Sequence, residues 1–197
     1  PSNICSFISQ NSTHLIFNVS HFTSYSSNRT FPASVNESSN LTTNITVNTT
    51  AFIINASNIT FDCLGFTIFY NGNGSDNESA ISAAFRENIT VQNCILVDTN
   101  SSGQNTLGIN FTNVTTGFIL NNTIGTNGTS SAIPVKIDNS TFVAVRNSVL
   151  SSLGTAGGNI ALQFSNSRNS SVVLSNLSAT DTSNNAGVSI SGSSFIN

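Results

Sequence analysis

The 197-residue chain contains no tryptophan and no methionine, only two tyrosines and three prolines, and charged side chains at just 7% of positions. Ordinary soluble domains carry roughly a quarter of their residues as Asp, Glu, Lys and Arg. Five basic residues against eight acidic ones, thinly spread, leave no basic patch for nucleic acid and no cationic stretch for an anionic membrane surface. No apolar run approaches the eighteen or so residues that a bilayer-crossing helix needs. Three cysteines, Cys5, Cys63 and Cys94, allow one disulfide with one thiol left over, and no CxxC pair or nearby histidine makes them a zinc site. His14 and His21 are read as solvated or capping groups near the N-terminus. Phosphate-binding loops, nucleophile elbows and nucleotide fingerprints are all missing. The first residue is Pro1, which reads as a processed product or a fragment.

Asparagine, serine and threonine take the place of the missing charge. Asn-x-Ser/Thr triplets occur twenty times, where the composition by itself gives roughly nine. Their asparagines are Asn11, Asn18, Asn28, Asn36, Asn40, Asn44, Asn48, Asn55, Asn58, Asn73, Asn77, Asn88, Asn100, Asn110, Asn113, Asn121, Asn127, Asn139, Asn169 and Asn176. Side chains alternate between the two faces of a strand. Asn44 and Asn48 flank Ile45 and Val47, Asn58 precedes Ile59 and Phe61, Asn88 precedes Ile89 and Val91, and Asn110 lies between Ile109 and Phe111. Each is therefore expected opposite an apolar face, where an N-glycan has room. Sugars would then supply the solubility that charge does not.

A repeat organises the chain. Ile81-x-Ala83-x-Phe85, Leu107-x-Ile109-x-Phe111, Ile133-x-Val135-x-Ile137 and Ile160-x-Leu162-x-Phe164 end at steps of 26, 26 and 27 residues, and Val188 and Ile190 begin a further copy. Each is followed by a polar turn and a second short strand (Ile89/Val91, Phe118/Leu120, Val143/Val145, Val172/Leu174). An asparagine comes next, and then a third apolar stretch (Ile95/Val97, Ile124, Val149). The runs are too short for helices, and Asn, Ser, Thr and Gly at this density oppose them. Three strands and three turns per repeat describe one coil of a parallel β-helix, stabilised by stacking on its neighbours. The fold expected is all-β: a right-handed parallel β-helix of about five coils over residues 50–197, with residues 1–49 as an N-terminal cap or arm. Asn93, Asn122 and Asn147, none in a sequon, are expected to point inward as an amide ladder. Cys63 and Cys94 occupy near-equivalent places in successive coils, which brings them within disulfide reach, and Cys5 paired with either is the alternative.

NITFDCLGFTI (Asn58 to Ile68), followed one coil later by NITVQNCIL, resembles the opening coils of pectin-lyase-like right-handed β-helices. The resemblance spans roughly residues 50 to 197 and implies a fold shared by lyases, hydrolases, adhesins and inert scaffolds. The family's enzymes line up acids with Arg or Lys on one face. Here Arg86 aligns with Thr112, Asp138 and Ser165, Lys136 aligns with Ala84, Asn110 and Gln163, and Asp62, Asp98 and Asp181 differ in phase. Asp76 and Glu78 are neighbours in a loop and read as solvated. Tyr25, Tyr70 and Phe69 are the candidate exposed rings for a sugar-binding surface.

The expectation is therefore a non-enzymatic structural glycoprotein without cofactor or metal, secreted or on the cell surface, whose partners are its N-glycans and copies of itself. Apolar residues running to the C-terminal coil leave an edge that suits end-to-end assembly into a filament. A carbohydrate-binding adhesin is the alternative, and a polysaccharide lyase or hydrolase a more remote one.

Overall fold

A computed structural model describes residues 5–10, 15–19, 31–155, 157–180 and 185–197. The described residues form no helix, and so none long and apolar enough to cross a membrane. Strands β1 (Cys5–Gln10) and β2 (Leu15–Val19) pair antiparallel as a separate hairpin. All remaining strands are parallel. A rudimentary coil of β3 (Ala33–Val35), β4 (Ser39–Asn40) and β5 (Ile45–Thr46) opens the solenoid. Five well-formed coils follow. They consist of β6 (Phe52–Ile54), β7 (Ile59–Asp62) and β8 (Thr67–Tyr70); β9 (Ser79–Ala84), β10 (Glu87–Gln92) and β11 (Ile95–Asp98); and β12 (Leu107–Thr112), β13 (Thr115–Leu120) and β14 (Thr123–Gly128). Then come β15 (Ile133–Asp138), β16 (Thr141–Arg146) and β17 (Val149–Gly154), and β18 (Ile160–Ser165), β19 (Ser171–Val173) and β20 (Asn176–Thr180), before a last strand, β21 (Ala186–Ser191).

Every third strand pairs, which gives three parallel sheets. The first runs from β3 to β21, the second from β4 to β19 and the third from β5 to β20. Residues 33–46 thus belong to the solenoid and not to an N-terminal cap, as β3–β5 hydrogen-bond to β6–β8.

Stacking turns the repeat into columns of like side chains. In the first sheet Val35, Ile54, Ala83, Phe111, Ile137, Phe164 and Ile190 lie in register. Ala83, not Phe85, is the residue under Phe111; Phe85 turns out of the coil at φ 56° and is 73% exposed. The same two-residue slip moves the ionisable groups: Ala84, not Arg86, aligns with Thr112 and Asp138, and Ser82, not Ala84, with Asn110 and Lys136.

In the second sheet the inward pair of β13 is Gly117 and Ile119, where the repeat suggests Phe118 and Leu120. Gly117 leaves room for the Phe111 ring, whose Cε2 would stand only 3.0 Å from a Cβ there. Val172 follows its column, but Leu174 bends outward at φ 52°. In the third sheet the inward residues are Leu96 and Asp98 instead of Ile95 and Val97, and Leu150 instead of Val149, stacked as Ile68, Leu96, Ile124, Leu150 and Leu177. These shifts share a cause: single residues at positive φ in the corners change the phase between strands.

Candidate functional site

Of the twenty sequons, Asn11 and Asn28 lie outside the described residues, and Asn18 lies in β2, where the backbone alone is described. None of the other seventeen asparagines is buried. Asn36, Asn40, Asn44, Asn48, Asn55, Asn58, Asn73, Asn77, Asn88, Asn121, Asn139, Asn169 and Asn176 are exposed, whereas Asn100, Asn110, Asn113 and Asn127 are half-buried.

Seven of these, Asn58, Asn77, Asn88, Asn113, Asn121, Asn139 and Asn169, have positive φ. Asparagine tolerates this left-handed conformation better than other residues with a Cβ. The sequon asparagine therefore also makes the coil's bends, and the serine or threonine near it works inside the bend. Ser140 Oγ accepts the Val114 N–H at 3.0 Å and donates to the Asp138 carbonyl at 2.8 Å. Ser167 repeats the arrangement for Ser140, and Ser193 for Ser167.

A second corner, between the second and third sheets, corrects the inward ladder. Asn93 and Asn147 sit at positive φ on the outer bend in line with Asn121, Asn93 half-buried and Asn147 exposed. Only Asn122 points inside. Its Oδ1 accepts the Cys94 N–H at 2.9 Å, its Nδ2 donates to the Val91 carbonyl at 3.1 Å, and its own N–H reaches Ser148 Oγ at 3.2 Å. The inner stack is thus Cys94, Asn122, Ser148 and Ser175, continued by the last pair at 3.2 Å. Above it Cys63 and Cys94 are bonded to each other, both buried, with Cα atoms 4.7 Å apart.

The acids serve neighbouring coils. Asp76 Oδ1 accepts the Gln104 N–H at 2.8 Å, and Glu78 accepts both the N–H and the hydroxyl of Thr50. Asp62 accepts from the Leu64 N–H at 2.8 Å, Gln92 Nε2 at 2.7 Å and Asn93 Nδ2 at 3.0 Å. Partial burial pushes its pKa up, but these hydrogen bonds to the charged form outweigh that and hold it below the ordinary carboxylate value.

A polar cluster that the repeat does not announce lies inside the solenoid. Tyr70, expected as an exposed ring, is fully buried beneath Asp98, and Phe69 is half-buried. Tyr25 and Asp181 lie outside the described residues. Asp98 Oδ1 accepts Asn71 Nδ2 at 3.0 Å and the Asn100 N–H at 3.2 Å, and Oδ2 accepts the Asn127 N–H at 3.1 Å. The Thr106 hydroxyl interacts with the same carboxylate and favours its charged form. Burial raises the Asp98 pKa in spite of these contacts. Burial, with the Asp98 charge adding to it, pushes the Tyr70 phenol well above its usual value. Tyr70 Oη, Asn71 Oδ1 and Thr126 Oγ1 have no hydrogen-bond partner. The signal for this cluster was the 28-residue step from Tyr70 to Asp98 and again to Thr126, visible only once the third strand is phased on Leu96.

Among the described residues no three His, Cys, Asp or Glu side chains converge. Comparison with protein-family models, with curated proteins and with solved structures finds no match.

Proposed function

We propose that the chain is a structural, N-glycosylated solenoid that assembles end to end into an extracellular filament or surface layer. The observation that carries this reading is that all seventeen sequon asparagines with described surroundings lie outside the core. On a chain with 7% charge, a sugar coat of that density supplies hydration along the sides and keeps them from aggregating. The ends differ from the sides. Val188 and Ile190 continue the columns of Leu162 and Phe164 but are 41% and 53% exposed. Phe195, by contrast, leaves the column at a positive-φ bend. At the first coil, Phe31, Val35, Leu41, Phe52 and Phe61 line a cleft of about 660 Å³. An exposed apolar layer of this kind suits packing against another parallel coil, and a heterologous contact then builds a filament unless its rotation closes it into a ring. Among parallel β-solenoids, the Asn58–Ile68 stretch and the coil after it favour kinship with the pectin-lyase-like family.

The test is intact glycopeptide mass spectrometry on native material, with electron microscopy of the same sample. Sugar on most of the thirteen exposed sequons, together with filaments or sheets, is expected. Bare sequons and dispersed monomers would overturn the proposal. A carbohydrate-binding adhesin draws support from Phe142, 56% exposed, and half-buried Phe118, which belong to neighbouring strands of the second sheet. Saturable glycan-array binding that is lost in Phe142→Ala would favour it.

A further inference from the structure

We propose that Asn71, Asp98, Thr106 and Thr126 form an internal binding site for a hard cation, calcium or sodium. All four side chains are buried, at 0%, 6%, 0% and 0% exposure, and all carry oxygen at one end of the third sheet. Asp98 binds Asn71 directly and has Thr106 against it, while Thr126 lies one coil further along the same inward column. Glycines make the corner tight: a Cβ on Gly128 would stand 3.0 Å from Thr106 Oγ1, and one on Gly103 would stand 3.3 Å from Asn71 Nδ2.

Two oxygens, Asn71 Oδ1 and Thr126 Oγ1, are left without a partner, and Thr106 Oγ1 has only the Asp98 carboxylate against it; such atoms are costly to bury. The amide oxygen can only accept, and the Asn71 nitrogen already donates to Asp98. Asp98 Oδ2 takes one well-formed hydrogen bond, so a lone pair remains. Among the described residues no cationic side chain stands against this carboxylate. A bridging water would satisfy the neutral oxygens but leave the buried charge uncompensated. A hard cation does both, because carboxylate, amide and hydroxyl oxygens are the donors it prefers. One carboxylate among neutral oxygens suits a weak site, with half-saturation by calcium at about 0.1–1 mM as in extracellular modules. An occupied site ties β8, β11 and β14 together through side chains as well as through the ladder.

The full chain is melted in choline chloride with chelator, then with increasing CaCl2 or NaCl at constant ionic strength. A saturable rise in melting temperature is expected, and the arm that produces it identifies the ion. Thr126→Val, which keeps the side chain's shape, should weaken half-saturation several-fold, and Asp98→Asn should abolish the rise. Terbium supplies a readout that does not depend on stability. Emission on exciting tyrosine should appear with the wild-type chain and be lost in Tyr70→Phe, since Tyr70 is next to Asp98 in the column. No saturable rise with either salt, an equal rise in Thr126→Val, or terbium emission that survives Tyr70→Phe would overturn the site. If Asp98→Asn does not fold, the other two variants decide.

Discussion

Asn88 donates a 3.1 Å hydrogen bond from its side-chain nitrogen to Oδ1 of Asn58, joining two sequon asparagines on successive coils. Coils repeat at the inter-strand spacing of about 4.8 Å. Sugars on both would leave the surface less than a sugar's width apart, each crowding the other. Replacing Asn58 by Gln should therefore raise glycan occupancy at Asn88, read by glycopeptide mass spectrometry. Unchanged occupancy would mean that the two sites are filled independently.

The half-buried sequons should be the poorly occupied ones. Asn100 spends Nδ2 on the Gly72 carbonyl at 3.0 Å, and Asn110 has its Oδ1 enclosed without a partner. Site-by-site occupancy should rank Asn100, Asn110, Asn113 and Asn127 below the thirteen exposed positions. An even distribution would show that sugar transfer precedes the burial seen here.

Removing the Cys63–Cys94 bond should cost about 3–4 kcal/mol by the loop-closure relation for a separation of 31 residues. The double variant Cys63→Ala/Cys94→Ala, compared with wild type in urea, checks this. A loss below about 1 kcal/mol would mean that the ladder hydrogen bonds already restrict that loop.

Stability should fall in acid through Asp62. Its folded pKa is lowered, so its contribution is complete above the unfolded value near 3.9 and is lost as pH drops through the lower folded one. Asp62→Asn should lower the urea midpoint above about pH 5, where the ionised Asp62 contributes fully, and should flatten the fall toward acid. A parallel-shifted profile of unaltered slope would assign the acid loss to other groups.

Phe142 holds φ 56° with its ring 56% exposed, in the bend position that Asn88 and Asn169 occupy in other coils. A side chain suited to that conformation relieves roughly 1 kcal/mol of backbone strain. Phe142→Asn creates no sequon, since Ala144 follows Val143, and should raise the midpoint of unfolding accordingly. A lower midpoint would show that the ring's packing outweighs the strain.

The sequence by itself determined that the chain is a stack of short strands. Its alternation has a period of two, its repeat is near 26 residues, and its composition rules out helices. It also placed the sequon asparagines on the outer side, because an Asn beside an inward Ile or Val on a strand has nowhere else to point. What it did not decide was phase across the corners. The bend residues at Phe85, Asn93, Asn121 and Leu174 each reverse the alternation, and nothing local distinguishes a bend Asn from a strand Asn. Strand alternation alone therefore points Asn93, Asn147 and Val97 inward, and the Thr116 bend does the same for Phe118. The tertiary structure settled each case by stacking. An inward position must match the side chains packed around it, so Gly117 faces the Phe111 ring within its own coil and Tyr70 stacks under Asp98 of the next. The interior polar corner has the same origin: Tyr70, Asp98 and Thr126 stand at successive 28-residue steps along the chain and become neighbours only because the coils pile up in register.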